Sequence, residues 1–162
     1  MGKTHRILGV DPGFGRLGFG CIETDGSAMR AIDYGIISTK AGGTFSHRLR
    51  ELGDDFVAVL QSTKPQIVVC ETLFFSMNVK TAIDVAQARG VILYLCEKQG
   101  IPLVEFGPGQ IKSAVTGSGR ADKKGVAQMV CRWLSLPISP KVDDAADALA
   151  IAITAAGLAS TR

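Results

Sequence analysis

The chain has 162 residues, 46% of them hydrophobic, with 18 Lys and Arg against 15 Asp and Glu for a net charge of +3. That length suits a single domain over 1–162, and the mix of apolar and charged residues excludes a disordered, collagen-like or coiled-coil chain. The longest apolar-rich run, 148–159, falls short of the roughly 20 residues that a bilayer-spanning helix needs, and no secretory or lipidation signal opens the sequence, so a cytoplasmic protein is expected.

Residues 6–11, Arg-Ile-Leu-Gly-Val-Asp, read as a short buried strand, and Pro12-Gly13-Phe14-Gly15 as a turn. Residues 17–23 read as a second strand, loosened by its glycines, and Asp25-Gly26 as a hairpin turn into a third strand within 28–39. The period then changes. Leu49, Leu52, Phe56, Val59 and Leu60 recur at helical spacing across 44–62. The continuous apolar run 66–71 predicts a central strand covered on both faces. Asn78 is a plausible N-cap for a helix to Gln99, with Gly100 just beyond its end. A strand over 101–106, a short helix opened by Pro108, a helix over 122–135 and an apolar helix from Asp143 to Ala159 complete the chain. Three strands joined by tight turns, followed by strand–helix alternation, make an α/β protein with a mixed five-stranded sheet flanked by helices.

Cys21, Cys70, Cys96 and Cys131 are far apart in sequence and sit beside apolar residues, which predicts buried, reduced thiols and neither a zinc knuckle nor a redox pair.

Four acids stand out because their neighbours are apolar. Asp11 ends the first strand and Glu71 the fourth, so the two emerge at one sheet edge if those strands are neighbours. Asp144 and Asp147 are three apart near the start of the last helix, on a stripe that continues through Ile151 and Leu158 toward the sheet. Carboxylates on a core stripe are costly without a partner, and that stripe carries no Lys or Arg. Divalent cations would satisfy the group, and an all-oxygen ligand set points to Mg²⁺ or Mn²⁺ rather than zinc. Singly, each acid has an ordinary reading: Asp-Pro-Gly is a turn, Glu71 a strand-end surface acid, Asp143 or Asp144 a helix cap. Together they form a candidate two-metal centre for phosphodiester hydrolysis.

These residues also carry a resemblance. Ile7-Leu8-Gly9-Val10-Asp11-Pro12-Gly13, Cys70-Glu71, Gln87-Ala88-Arg89-Gly90 and Asp144-Ala145-Ala146-Asp147-Ala148-Leu149-Ala150-Ile151 closely resemble, in order and spacing, the RuvC family of bacterial Holliday-junction resolvases. The resemblance runs from about residue 6 to 158, and the Asp-Ala-Ala-Asp stretch is its most specific element. It implies a ribonuclease-H-like fold and a homodimer that nicks two like-polarity strands of a four-way DNA junction, leaving 5′-phosphate and 3′-hydroxyl ends. It also implies two Mg²⁺ per active site, with Mn²⁺ able to substitute, and the branch-migration partners RuvA and RuvB. Asp11, Glu71, Asp144 and Asp147 fall on the family's catalytic, metal-binding acids. Phe74 matches its base-stacking aromatic, with Phe75 beside it. Lys112 and Lys123 align with family lysines at DNA phosphate or the catalytic centre, and Lys124 and Arg89 are further candidates for DNA contact. Asp143 and the residues ahead of Arg6 have no counterpart role.

The charge pattern agrees with a DNA partner. From Glu105 to Lys141 the chain has six basic residues against two acids, and with four acids bound to metal the 18 Lys and Arg face 11 acids. Two other classes compete. A non-catalytic junction-binding protein does not need all four acids. An actin-like ATPase or sugar kinase, which opens with a similar Asp-containing hairpin, needs two domains and a longer chain.

Overall fold

The computed structural model describes residues 4–73, 79–137, 140–141 and 143–159, with the side chains of the last two excepted. In chain order the elements are β1 (His5–Asp11), β2 (Arg16–Thr24), β3 (Met29–Ser38), α1 (Phe45–Thr63), β4 (Ile67–Glu71), α2 (Val79–Lys98), β5 (Leu103–Phe106), α3 (Pro108–Thr116), α4 (Lys123–Leu134) and α5 (Asp143–Ala159). This is the order read from the sequence. Local chemistry explains several boundaries. The Asp25 carboxylate accepts from the backbone N–H groups of Ser27 and Ala28 and so closes the β2–β3 hairpin. Thr44 and Asp122 cap α1 and α4 by accepting from His47 N and Gly125 N. Asp143 and Asp144 both lie in the first turn of α5, where the helix dipole favours negative charge.

The strands run in the order β3-β2-β1-β4-β5, with β1 antiparallel to β2 and parallel to β4. One face of the sheet packs on α1 and α2 through Leu8, Val10, Leu17, Val68, Cys70, Phe56 and Ile92. The other packs on α3, α4 and α5 through Ile7, Ile22, Val69, Ile111, Val130 and Leu149. Along β1 and β4 these residues alternate strictly, as the period of a strand requires.

The glycines of β1 and β2 correct the sequence reading, which took those of β2 as loosening the strand. They are where α5 touches the sheet. A β-carbon on Gly9 would lie 2.0 Å from the Ala148 carbonyl oxygen, on Gly18 2.1 Å from that of Asp144, and on Gly20 2.8 Å from Leu149 N. Only glycine lets the helix backbone approach this closely.

Cys21, Cys70 and Cys96 are buried free thiols, whereas Cys131 is only half-buried. Desolvation pushes the Cys70 thiol up to about 12, so it is inert at neutral pH. No helix among the described residues is long and apolar enough to cross a membrane.

Candidate active site

Register places the two strand-end acids. Val10 of β1 pairs with Cys70 of β4, so Asp11 and Glu71 are the next residues of two parallel neighbours. Val10 and Cys70 point to the α1–α2 face, and alternation turns Asp11 and Glu71 to the α5 face. Beyond Glu71 the strand is held to β5 by Thr72 N–H donating to the Phe106 carbonyl at 2.9 Å. From the other side α5 presents Asp144 and Asp147 one turn apart, its backbone seated on the three glycines. Carboxylate oxygens of Asp11, Asp144 and Asp147 all lie within 4.8 Å of one another.

Glu71 stands outside that triad but lines the adjoining cavity of about 360 Å³, together with Asp11, Asp147, Lys112 and Lys123. Asp144 is not among the cavity-lining residues; its Oδ2 meets Arg16 Nε at 3.2 Å. Asp147 Oδ2 accepts from Lys123 Nζ at 3.3 Å. The apparent lack of a cation for the aspartate stripe is therefore resolved in three dimensions. Arg16 arrives from β2 and Lys123 from α4, and nothing in the linear spacing ties either to α5.

These cations do not neutralise the centre. Burial, reinforced by Asp147, Glu71 and Asp144, pushes the Asp11 carboxyl up to about 7 despite Lys123. Burial and Asp147 also raise Glu71, opposed by Lys112 and Lys123, and Asp147 in turn raises the Lys123 ammonium. Three converging carboxylates, one of them destabilised as the anion, are a donor set suited to a hard divalent cation.

The turn after Asp11 is braced from α1. Arg48 donates to Thr39 Oγ1 from Nε at 3.1 Å and Nη2 at 2.9 Å, and lies 4.1 Å from the Phe14 ring centroid. Thr39 Oγ1 donates to the Phe14 carbonyl at 3.2 Å, and Phe14 stacks on Phe45 at 4.4 Å. Neither this brace nor Arg16 is legible in the linear spacing, because Thr39 lies 25 residues beyond Phe14 and Arg48 a further nine.

Lys124 and Arg89 do not line the cavity beside the acids. Lys124 is exposed and borders a separate shallow depression with Gln128, Cys131 and Arg132. Arg89 forms an ion pair with Glu105 of β5, and its Nε is buried with no hydrogen-bond partner among the described residues. Asp143 is exposed beside the cluster. Phe74, Phe75 and Asn78 lie outside the described residues.

Comparison with known proteins settles the family. The profile of "Crossover junction endodeoxyribonuclease RuvC" matches residues 7–155. The chain belongs to the RuvC family. It is 47% identical over 148 residues to the RuvC of Thermomicrobium roseum, covering 91% of this chain and 90% of that protein. To the RuvC of Clostridioides difficile it is 48% identical over 147 residues, covering 91% and 87%. The structure of T. thermophilus RuvC in complex with Holliday junction substrate superposes with a TM-score of 0.92 at 32% identity, covering 97% of this chain and 96% of that one. The sheet and its flanking helices are thus the ribonuclease-H-like fold of RuvC. Yeast mitochondrial Ydc2, at 15% identity and a TM-score of 0.70, shares that fold.

Proposed function

We propose that this RuvC-family chain, acting as one domain over 1–162, resolves four-way DNA junctions by paired symmetric nicks during recombination and repair. The observation that carries this reading is the convergence of Asp11, Asp144 and Asp147 oxygens within 4.8 Å, beside a cavity lined by Glu71, Lys112 and Lys123. Asp11, Glu71, Asp144 and Asp147 are the residues that would hold two Mg²⁺, or Mn²⁺ in their place, and such a pair supplies a nucleophilic water and stabilises the departing oxygen. Water oxygen bonds to phosphorus as the bond to the 3′-oxygen breaks, and a proton passes to that oxygen, leaving 5′-phosphate and 3′-hydroxyl ends. Lys112 and Lys123 offer the phosphate positive charge from the cavity wall. The Arg48–Thr39–Phe14 brace holds the turn after Asp11, so the acid is set before substrate arrives.

Phe74 stacks on an unpaired base at the junction centre on this reading, and Lys124 contacts phosphates of the arms. Arg89 carries the same expectation, although its pair with Glu105 already serves the scaffold. Two nicks on one junction call for two centres, hence a homodimer. In support, α2 exposes Val79 (72%), Ile83 (50%) and Tyr94 (62%) at helical spacing, an apolar stripe suited to a second copy. The enzyme would work in the cytoplasm with RuvA and RuvB as its branch-migration partners.

The test is cleavage of a mobile four-way junction against linear duplex of the same sequence, in Mg²⁺, in Mn²⁺ and in EDTA. Paired nicks in the junction alone, religated by DNA ligase and abolished by EDTA, are the expected result. Junction binding without nicking would instead favour a non-catalytic junction-binding protein.

A further inference from the structure

The Arg16–Asp144 ion pair is not accounted for by the nuclease reading. Both partners are fixed at the backbone. Arg16 opens β2 in register with Ser38, next to a hydrogen bond from Thr39 N–H to the Gly15 carbonyl at 3.3 Å. Asp144 is held where its carbonyl lies against Gly18. Only the Arg16 side chain is free to leave: it is 59% exposed, whereas the Asp144 side chain is 26% exposed. The guanidinium Nε stands 3.2 Å from Asp144 Oδ2, on a carboxylate that contributes an oxygen to the converging triad.

A divalent ion that takes Asp144 must either displace Arg16 from Oδ2 or sit beside its positive charge. Both weaken binding, because like charges at this range repel and the ion pair has to be given up. We propose that Arg16 is a positioning residue that holds Asp144 in the metal-free protein and competes with metal for it, so that metal affinity at this centre is set by the release of Arg16. The inference rests on the metal-centre reading above. Lys123 plays a different part: it lines the cavity with Asp147, whereas Arg16 approaches Asp144, which the cavity does not include.

The test uses Mg²⁺ alone, without DNA. Mg²⁺ titrations by calorimetry and by melting temperature would compare the wild type with Arg16→Gln, Arg16→Lys and, as a charge control, Arg50→Gln, an exposed arginine of α1. Arg16→Gln is expected to bind Mg²⁺ roughly three- to tenfold more tightly. Arg16→Lys, which keeps the charge, should stay close to wild type, and Arg50→Gln should be unchanged. In an Asp144→Asn background, Arg16→Gln should add nothing. In the wild type, the Arg16 Nε–H resonance should move on adding Mg²⁺ and not on adding KCl of equal ionic strength. The proposal is overturned if Arg16→Gln binds Mg²⁺ within twofold of wild type, if Arg50→Gln tightens it equally, or if that resonance stays in place. A wild type that takes up no Mg²⁺ would overturn the metal-centre reading itself.

Discussion

The carbonyl of Asp144 rests on Gly18, so close that a β-carbon there would come within 2.1 Å of the carbonyl oxygen. A residue near the start of β2 thus sets the height of an active-site helix above the sheet. The contact is with backbone, which has no rotamer to change, so a larger residue must lift the start of α5 and carry Asp144 and Asp147 away from Asp11. Gly18→Ala is expected to cost about 1–3 kcal/mol of stability and a larger share of nuclease activity. Gly20→Ala, lying against the side chain and N–H of Leu149 further along the helix, should cost stability with less loss of activity. Melting temperatures and initial nicking rates of the two variants separate the effects.

Asp11→Asn keeps the shape of the side chain and removes one charge of the triad. Changing a group that merely orients a metal ligand costs about 10–100-fold, and losing a ligand should cost more. Nicking should fall by at least that much while junction binding survives in a gel-shift assay. Asp143→Asn is the control. Asp143 is exposed and outside the triad, and its variant should keep most of its activity.

Asp11 also sets a pH dependence. Its folded carboxyl is raised to about 7, against an ordinary value near 3.8, by burial first and then by Asp147, Glu71 and Asp144. Between those values the folded protein holds a proton that the unfolded chain has released, so metal-free stability falls as pH rises through that window. Above about 7 the penalty is complete and the dependence flattens; below about 3.8 it vanishes. The slope contributed by this single group is at most about 1.4 kcal/mol per pH unit. Mg²⁺ must displace that proton, so its affinity should climb with pH up to about 7 and then level off. Asp147→Asn removes the largest electrostatic contribution and should bring the Asp11 value down, as read by carboxyl ¹³C NMR without metal. An unchanged Asp11 titration would mean that the two acids do not interact.

Lys124 and Arg89 carry the same expected role but should respond differently. Lys124 is exposed, so Lys124→Ala should leave the melting temperature in place and reduce the salt dependence of junction binding by about one phosphate contact. Arg89→Ala strips Glu105 of its partner in a partly buried setting and should destabilise the protein by about 1 kcal/mol, or roughly 2–4 °C. If Arg89→Ala weakens junction binding with no change in melting temperature, its main role is at the DNA.

Periodicity and turn chemistry were enough to place every element, because each signal is local. The Asp25-Gly26 hairpin, the helical recurrence of Leu49, Leu52 and Phe56 and the apolar run of β1 depend on residues within a few positions of one another. The four acids were legible for the same reason, since a carboxylate amid apolar neighbours is visible in the chain itself. Their grouping was not settled there. Whether Asp11 meets Asp144 depends on β1 lying between β2 and β4 and on three glycines letting α5 descend onto the sheet. Arg16 and Lys123 reach the α5 aspartates from elements distant in the chain, and the rise of Asp11 toward 7 needs burial and three charges at once. Spacing along a sequence carries helix and strand period, but distance across a sheet and the dielectric around a carboxylate exist only once the layers have packed.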